Sequence, residues 1–338
     1  MKPRSNSISL QRLAKWLGWF LMALFIYAML SAVILFTSLV LLQRGIIPDV
    51  PWVAAVQAHL YSKWSRNILQ TKLDCVAYDP EVIYKPKIGT CHFDNVEFKT
   101  LLNFSAEGRY TGQKPSGKGI AVLGDSHAIG WGVGDEETFS AELQRLSGRP
   151  VFNLGVSSYG TVRELMSMKK SGLLDKVDTL IIQYCDNDLE ENIGFRPSSP
   201  QDTTKTFATI TQPRGSSLSN EIKMLNKGYW FTFRTPFASL TKRLFAKKAK
   251  SFLPHYQPAI DAIKEHDELK GKRIIVFYSN VHGGKFRDFP AGKDQQLPNV
   301  EFIEMNLARD DYYRIDGHLT SAGHKKAGQQ LFDLIRTQ

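Results

Sequence analysis

The chain has 338 residues, 43% of them hydrophobic, which is enough apolar material for one large core with an appendage. Its formal net charge is +10, yet no nucleic-acid reader motif accompanies that excess, so nucleic acid is not expected as a partner. The three cysteines show no CxxC or Cys/His spacing of a zinc site, and neither a metal nor another cofactor is expected.

The N-terminus carries the first element. Residues 1–15 form a basic tail with Lys2, Arg4, Arg12 and Lys15, and residues 16–42 then contain no charged side chain. A helix of that length rises about 40 Å, more than the roughly 30 Å of hydrocarbon it has to cross. A cleaved signal peptide would have an apolar stretch of only about 7–15 residues closed by small side chains. This run is too long, and residues 40–44 (Val-Leu-Leu-Gln-Arg) make a poor cleavage site. An uncleaved, single-pass transmembrane helix is therefore expected. Basic residues crowd its front and only Arg44 follows closely. That asymmetry places the N-terminus in the cytoplasm and everything after the helix outside it, in the periplasm if the source is Gram-negative.

Residues 45–117 read as a membrane-proximal helix after Pro51, with Trp52, Val56 and Leu60, and then a small β segment in which residues 91–104 partly alternate. Cys75 and Cys91 are candidates for a disulfide in an exported domain; the competing reading is two unpaired core residues. From residue 118 to 338 the pattern is strand then helix, repeated. Strands are predicted at 120–123, 151–154, 179–184, 273–278 and 300–305, and helices at 138–146, 162–171, 256–269 and 321–335. The expected fold is α/β: a three-layer α/β/α sandwich around a central, mainly parallel five-stranded sheet with right-handed crossovers. An insertion at about 196–250 interrupts it. Lys223, Lys227, Arg234, Lys242 and other basic residues interleave there with Tyr229, Trp230, Phe231 and Phe233, and the acids are only Asp202 and Glu221. Contact with anionic lipid, a groove for an acidic polymer, or a solvated insertion with aromatics packed on the core all fit this composition.

The chemistry concentrates in four loops, each at a predicted strand end. Gly124-Asp125-Ser126-His127 leaves the first strand through a tight turn, where open α/β sheets place their ligands. Asn153-Leu-Gly-Val-Ser-Ser-Tyr-Gly-Thr161, Tyr184-Cys-Asp-Asn-Asp-Leu189 and Asp316-Gly-His-Leu-Thr320 follow later strands. In this order the four blocks resemble the SGNH (GDSL-type) hydrolase superfamily over about residues 118–337, a flavodoxin-like architecture. The resemblance implies Ser126 as nucleophile, His318 as its base and Asp316 as the group that orients the imidazole. It implies an oxyanion hole from the Ser126 N–H, the amide at Ser158 and the Asn187 side chain. Ser158 and Cys185 stand where the family has glycine, and Asp316 precedes His318 by two residues where the family's aspartate precedes by three. Asp310 or Asp311 is an alternative partner for His318. His318 also reads as a helix-entry residue, with Thr320 or Ser321 as N-cap, and Asn187 as a turn cap. Asp186 and Asp188 without further ligands do not make a cation site. His127 beside the serine resembles SGNH domains associated with envelope O-acyl transfer.

The expectation is a serine-dependent esterase or O-acyltransferase in the inner (cytoplasmic) membrane, its catalytic domain outside the cytoplasm. Its substrate would be an ester of an envelope polysaccharide or lipid, and a multispan membrane acyltransferase is a candidate partner. The competing expectation is a non-catalytic SGNH-like scaffold or binding protein of a polysaccharide assembly or export system.

Overall fold

The computed structural model describes residues 10–195, 199–212, 218–244, 256–279, 292–293 and 297–336. In chain order its helices are α1 (Leu10–Gln43), α2 (Pro51–Leu60), α3 (Ser126–Ile129), α4 (Phe139–Ser147), α5 (Thr161–Lys170), α6 (Asp186–Gly194), α7 (Pro200–Ile210), α8 (Leu218–Leu244), α9 (Gln257–Lys264) and α10 (Ser321–Arg336). Its strands are β1 (Val76–Asp79), β2 (Ile83–Pro86), β3 (Gly89–Asp94), β4 (Lys99–Ser105), β5 (Gly108–Arg109), β6 (Gly119–Leu123), β7 (Val151–Asn153), β8 (Val177–Tyr184), β9 (Arg273–Tyr278), β10 (Gly292–Lys293) and β11 (Val300–Ile303). They fall into two units, residues 1–65 with 216–248, and residues 66–215 with 249–338.

The second unit is built on five parallel strands in the order β7-β6-β8-β9-β11. β6, β7, β8 and β9 are buried on both faces, which is why they read as apolar runs rather than alternating ones. Alternate residues of β6 serve opposite layers. Ala121 and Leu123 pack with Leu165 and Met168 of α5 and Ile260 and Ile263 of α9. Ile120 and Val122 pack with Phe139 and Leu143 of α4 and Ala327 and Leu331 of α10. The result is the expected three-layer α/β/α sandwich. The chain leaves β6 in one direction, to β7, and returns to its other side as β8, so the order reverses between β6 and β8. Ligands of such sheets bind at the carboxyl ends of the strands on either side of that reversal.

The small β segment is not separate from this sheet. β1 and β2 pair only with each other, but β3, β4 and β5 continue the main sheet antiparallel beyond β7, through Arg109 opposite Asn153. The buried Arg109 side chain holds the junction. It pairs with Asp135 at 2.9 Å and donates to the carbonyls of Ile129, Gly130 and Val133. The structure also joins Cys75 to Cys91, both buried against Phe93, Leu102 and Trp131. The basic insertion divides between the units. α7 packs in the second, where the Tyr78 hydroxyl meets Thr203 Oγ1 at 2.8 Å and its ring meets Phe207. α8 belongs to the first unit.

In the first unit, α1 is long and apolar enough to cross a membrane. Its side chains from Arg12 to Ile26 are exposed, whereas Ser31, Leu35, Ser38 and Leu42 are buried. That spacing is a helix-packing seam, and α2 and α8 cover it. α2 ends earlier than the membrane-proximal segment suggested and passes into a π-helical turn over Tyr61–Ser65.

Candidate active site

The reversal point of the sheet holds Ser126. Gly124 takes φ +143°, and a Cβ there would stand 2.6 Å from the Ala128 Cβ and 2.7 Å from Gln183 Oε1, so the turn requires glycine. Asp125 caps α3 by accepting from the His127 N–H at 2.9 Å. Gln183, buried at the end of β8, accepts from the Asp125 and Ala128 N–H groups at 3.2 and 3.1 Å. Ser126 is thereby fixed at the first position of a single helical turn.

The Ser126 Oγ lies 2.6 Å from His318 Nε2. On the far side of the ring, Nδ1–H donates to Asp316 Oδ1. Both His318 and Asp316 are buried. The close spacing of these two residues works because Gly317 between them takes φ +84°, a left-handed turn that brings both side chains to one side. Asp311 is engaged elsewhere: it bonds Lys326 at 2.9 Å and accepts from the Ala308 N–H. Asp310 is exposed.

Two residues that sequence reasoning missed hold this loop. Arg66 pairs with Asp316 Oδ2 through Nε at 3.3 Å. Its NH2 also approaches His318 Nδ1 at 3.2 Å. With Nδ1–H committed to Asp316, that nitrogen has no free lone pair, so the approach of NH2 is a packing contact and the ion pair with Asp316 ties Arg66 to the loop. Glu97, in the turn between β3 and β4, gathers the N–H groups of Arg314, Ile315 and Asp316 at 2.7, 2.9 and 2.7 Å. Burial raises the Glu97 pKa above the usual carboxylate range, against those three hydrogen bonds.

His127 is buried beside the pair, its ring centroid 4.6 Å from that of His318. Burial, and then the neighbouring His318, push its pKa down to about 3. It is neutral at ordinary pH and meets Ser279 Oγ at 3.2 Å.

Asn187 and Cys185 meet Asp125, the residue before the serine, and Ser158 lies in the turn after β7. Asn187 opens α6 and is exposed; its Nδ2 donates to Asp125 Oδ2 at 3.2 Å. Cys185 sits beneath, with Sγ 3.1 Å from Asp125 Oδ2 and 2.7 Å from Asn187 Oδ1. Burial raises its thiol pKa well above the usual range, so it is no thiolate nucleophile. Ser158 occupies the left-handed region at φ +63°, where glycine is at ease and serine is strained. Gln70 Nε2 donates to its Oγ at 3.0 Å and Arg163 to its carbonyl oxygen at 2.6 Å. Among the described residues no cluster of His, Cys, Asp and Glu is arranged to hold a metal ion.

Chemically, the arrangement can take the Ser126 proton at His318 Nε2 while Asp316 steadies the resulting imidazolium. No protein-family model matches the chain, and no curated protein does. Among solved structures it is similar to a protein described as lipolytic and of the G-D-S-L family, from Desulfitobacterium hafniense, at 12% identity and TM-score 0.32, over 64% of this chain and 99% of that one. It is similar to a two-domain esterase active on acetylated mannans at 12% identity and TM-score 0.36, over 66% of this chain and 50% of that one. A third is a family two carbohydrate esterase from Clostridium thermocellum, at 11% identity and TM-score 0.33, over 68% of this chain and 66% of that one.

Proposed function

We propose that the chain is a membrane-anchored, SGNH-type serine hydrolase or acyltransferase acting on an ester of an envelope polysaccharide or lipid. The observation that carries this reading is the unbroken line Ser126 Oγ, His318, Asp316, extended to Arg66. In the first step Ser126 Oγ bonds to the acyl carbon and its proton passes to His318 Nε2. The carbonyl oxygen becomes an oxyanion, held by the Ser126 and Ser158 N–H groups and the Asn187 amide. On collapse the ester C–O bond breaks and the leaving alcohol takes the proton from His318. An acceptor then repeats the sequence in reverse. Water yields the free acid; a sugar hydroxyl yields a new ester, so one set of residues serves both outcomes.

An extracytoplasmic site is supported by the long apolar α1, by the basic residues ahead of it, and by the Cys75–Cys91 bond, which suits an oxidising compartment. A multispan membrane protein is the fitting acyl donor if the reaction is transfer. The test is hydrolysis of p-nitrophenyl acetate by the solubilised full chain, with and without Ser126→Ala. Release of nitrophenol that depends on Ser126 is expected; equal rates would remove the serine mechanism for that ester.

A further inference from the structure

α8 comes from the basic insertion and packs on α1. The contact is specific in depth. The Tyr229 hydroxyl donates to the Ala28 carbonyl at 3.2 Å, the Tyr27 hydroxyl donates to the Phe233 carbonyl at 2.6 Å, and the Tyr27 and Phe233 rings meet edge-on at 4.8 Å. A bilayer span needs about 20 residues. Within the uncharged run 16–42, the earliest such window is 16–35 and the latest 23–42. Every window contains Tyr27 and Ala28. If α1 crosses the membrane, the middle of α8 is therefore inside it.

The make-up of α8 fits that place. Gly228 and Thr232, one turn apart, are buried, the small-residue spacing that lets helices approach closely in lipid. The tyrosine hydroxyls are satisfied on backbone carbonyls rather than left bare in hydrocarbon. On the opposite face Lys223, Lys227, Trp230 and Arg234 are exposed, with the Arg234 guanidinium 5.9 Å from the Trp230 ring centroid. Basic side chains that snorkel around a tryptophan are what the headgroup boundary selects. Across these windows Ala28 lies about 10 to 21 Å beneath the end of the span, and the earliest window brings it to the limit of the roughly 5–10 Å that interfacial helices reach. A single crossing is ruled out by connectivity. β8, before the insertion, and β9, after it, are hydrogen-bonded neighbours, so both ends of the insertion lie on one side.

We propose that α8 is a membrane-embedded helix, seated against α1 in one leaflet, with Lys223, Lys227 and Arg234 reaching the headgroups and Trp230 at the boundary. The proposal rests on the reading of α1 as a membrane anchor. It gives the catalytic unit a second attachment to the bilayer and assigns the basic, aromatic insertion to lipid rather than to an acidic polymer.

Nitroxide labelling of the full chain in nanodiscs of phosphatidylcholine and phosphatidylglycerol tests it. Single labels go at Trp230→Cys on α8, Phe25→Cys on α1 as the lipid reference and Tyr110→Cys on the catalytic unit as the water reference; Cys185 is buried and Cys75 and Cys91 are bonded. At position 230 the ratio of oxygen to nickel-chelate accessibility should lie several-fold above that at 110 and below that at 25. A ratio at 230 equal to that at 110, with 25 still in lipid, overturns the α8 proposal and leaves the anchor. A water-accessible label at 25 overturns the anchor and the proposal with it. If Trp230→Cys does not fold, Lys227→Cys on the same exposed face gives the same reading, with the same outcomes.

Discussion

Replacing Asp316 by Asn probes the weakest point of the sequence reading, its aspartate spacing. Asp316 has two partners: Oδ1 accepts from His318 Nδ1–H and Oδ2 faces Arg66 Nε at 3.3 Å. An asparagine has one carbonyl oxygen for both. The guanidinium, a permanent cation, attracts that oxygen more strongly than the neutral imidazole N–H does. The amide NH2 must then point at His318 Nδ1, which has to accept. The imidazole is forced into the tautomer with its proton on Nε2, facing Ser126, and it can no longer take the serine proton. Loss of the correct tautomer in a triad of this kind costs about 10⁴ in kcat, or about 5.4 kcal/mol of transition-state stabilisation. The assay is kcat/KM for p-nitrophenyl acetate with the solubilised full chain, beside a thermal melt to show that the fold persists. A folded Asp316→Asn variant within tenfold of the unmodified chain would refute the role assigned to Asp316 and the competition assigned to Arg66.

Other substitutions divide the remaining site. Asn187→Ala removes the proposed oxyanion donor and should lower kcat by about 10²–10³, whereas Ser158→Gly keeps the backbone N–H and relieves a residue held at φ +63°, so activity should persist with an unchanged or higher melting temperature. Loss of activity in Ser158→Gly would assign the contribution to its hydroxyl instead. Glu164 and Asp188 are fully buried carboxylates, both with pKa values raised well above the ordinary range, by burial first and then, for Glu164, by the charge of Asp188. A group whose folded pKa is raised stabilises the fold below its unfolded pKa, and that stability is lost as pH climbs through the folded pKa. The melting temperature should therefore fall as the pH rises above about 5, and fall less steeply in Glu164→Gln; parallel curves would contradict this.

Much of the architecture is legible because burial leaves a mark on sequence. β6, β8 and β9 are covered on both faces and read as apolar runs, and α4, α5 and α10 cover them with one apolar stripe each. The sheet extension is not legible, because β5 has two residues and joins β7 through a single pair, Arg109 with Asn153. Ser126 and Asn187 open helices just after β6 and β8, and His318 lies in the polar loop ahead of α10, so local pattern finds them. Arg66 and Glu97 have no such pattern. They reach the histidine loop from 252 and 219 positions away in the chain, and only the fold brings them there. The Asp316 spacing looked anomalous because it counts residues. The left-handed Gly317 supplies in geometry what the missing residue would supply in length. The composition of the insertion left lipid and polymer open, and the pairing of Tyr229 with Ala28 supplies the depth that composition lacks.

Activation of Ser126 by His318 is common to every reaction proposed for the site, whatever the acyl group and acceptor. Incubating the full chain with a fluorophosphonate and mapping the adduct by mass spectrometry tests this without a known substrate. One adduct on Ser126 is expected, absent from Ser126→Ala and strongly slowed in His318→Ala. A folded chain that takes no label, or one labelled equally after Ser126→Ala, would contradict it.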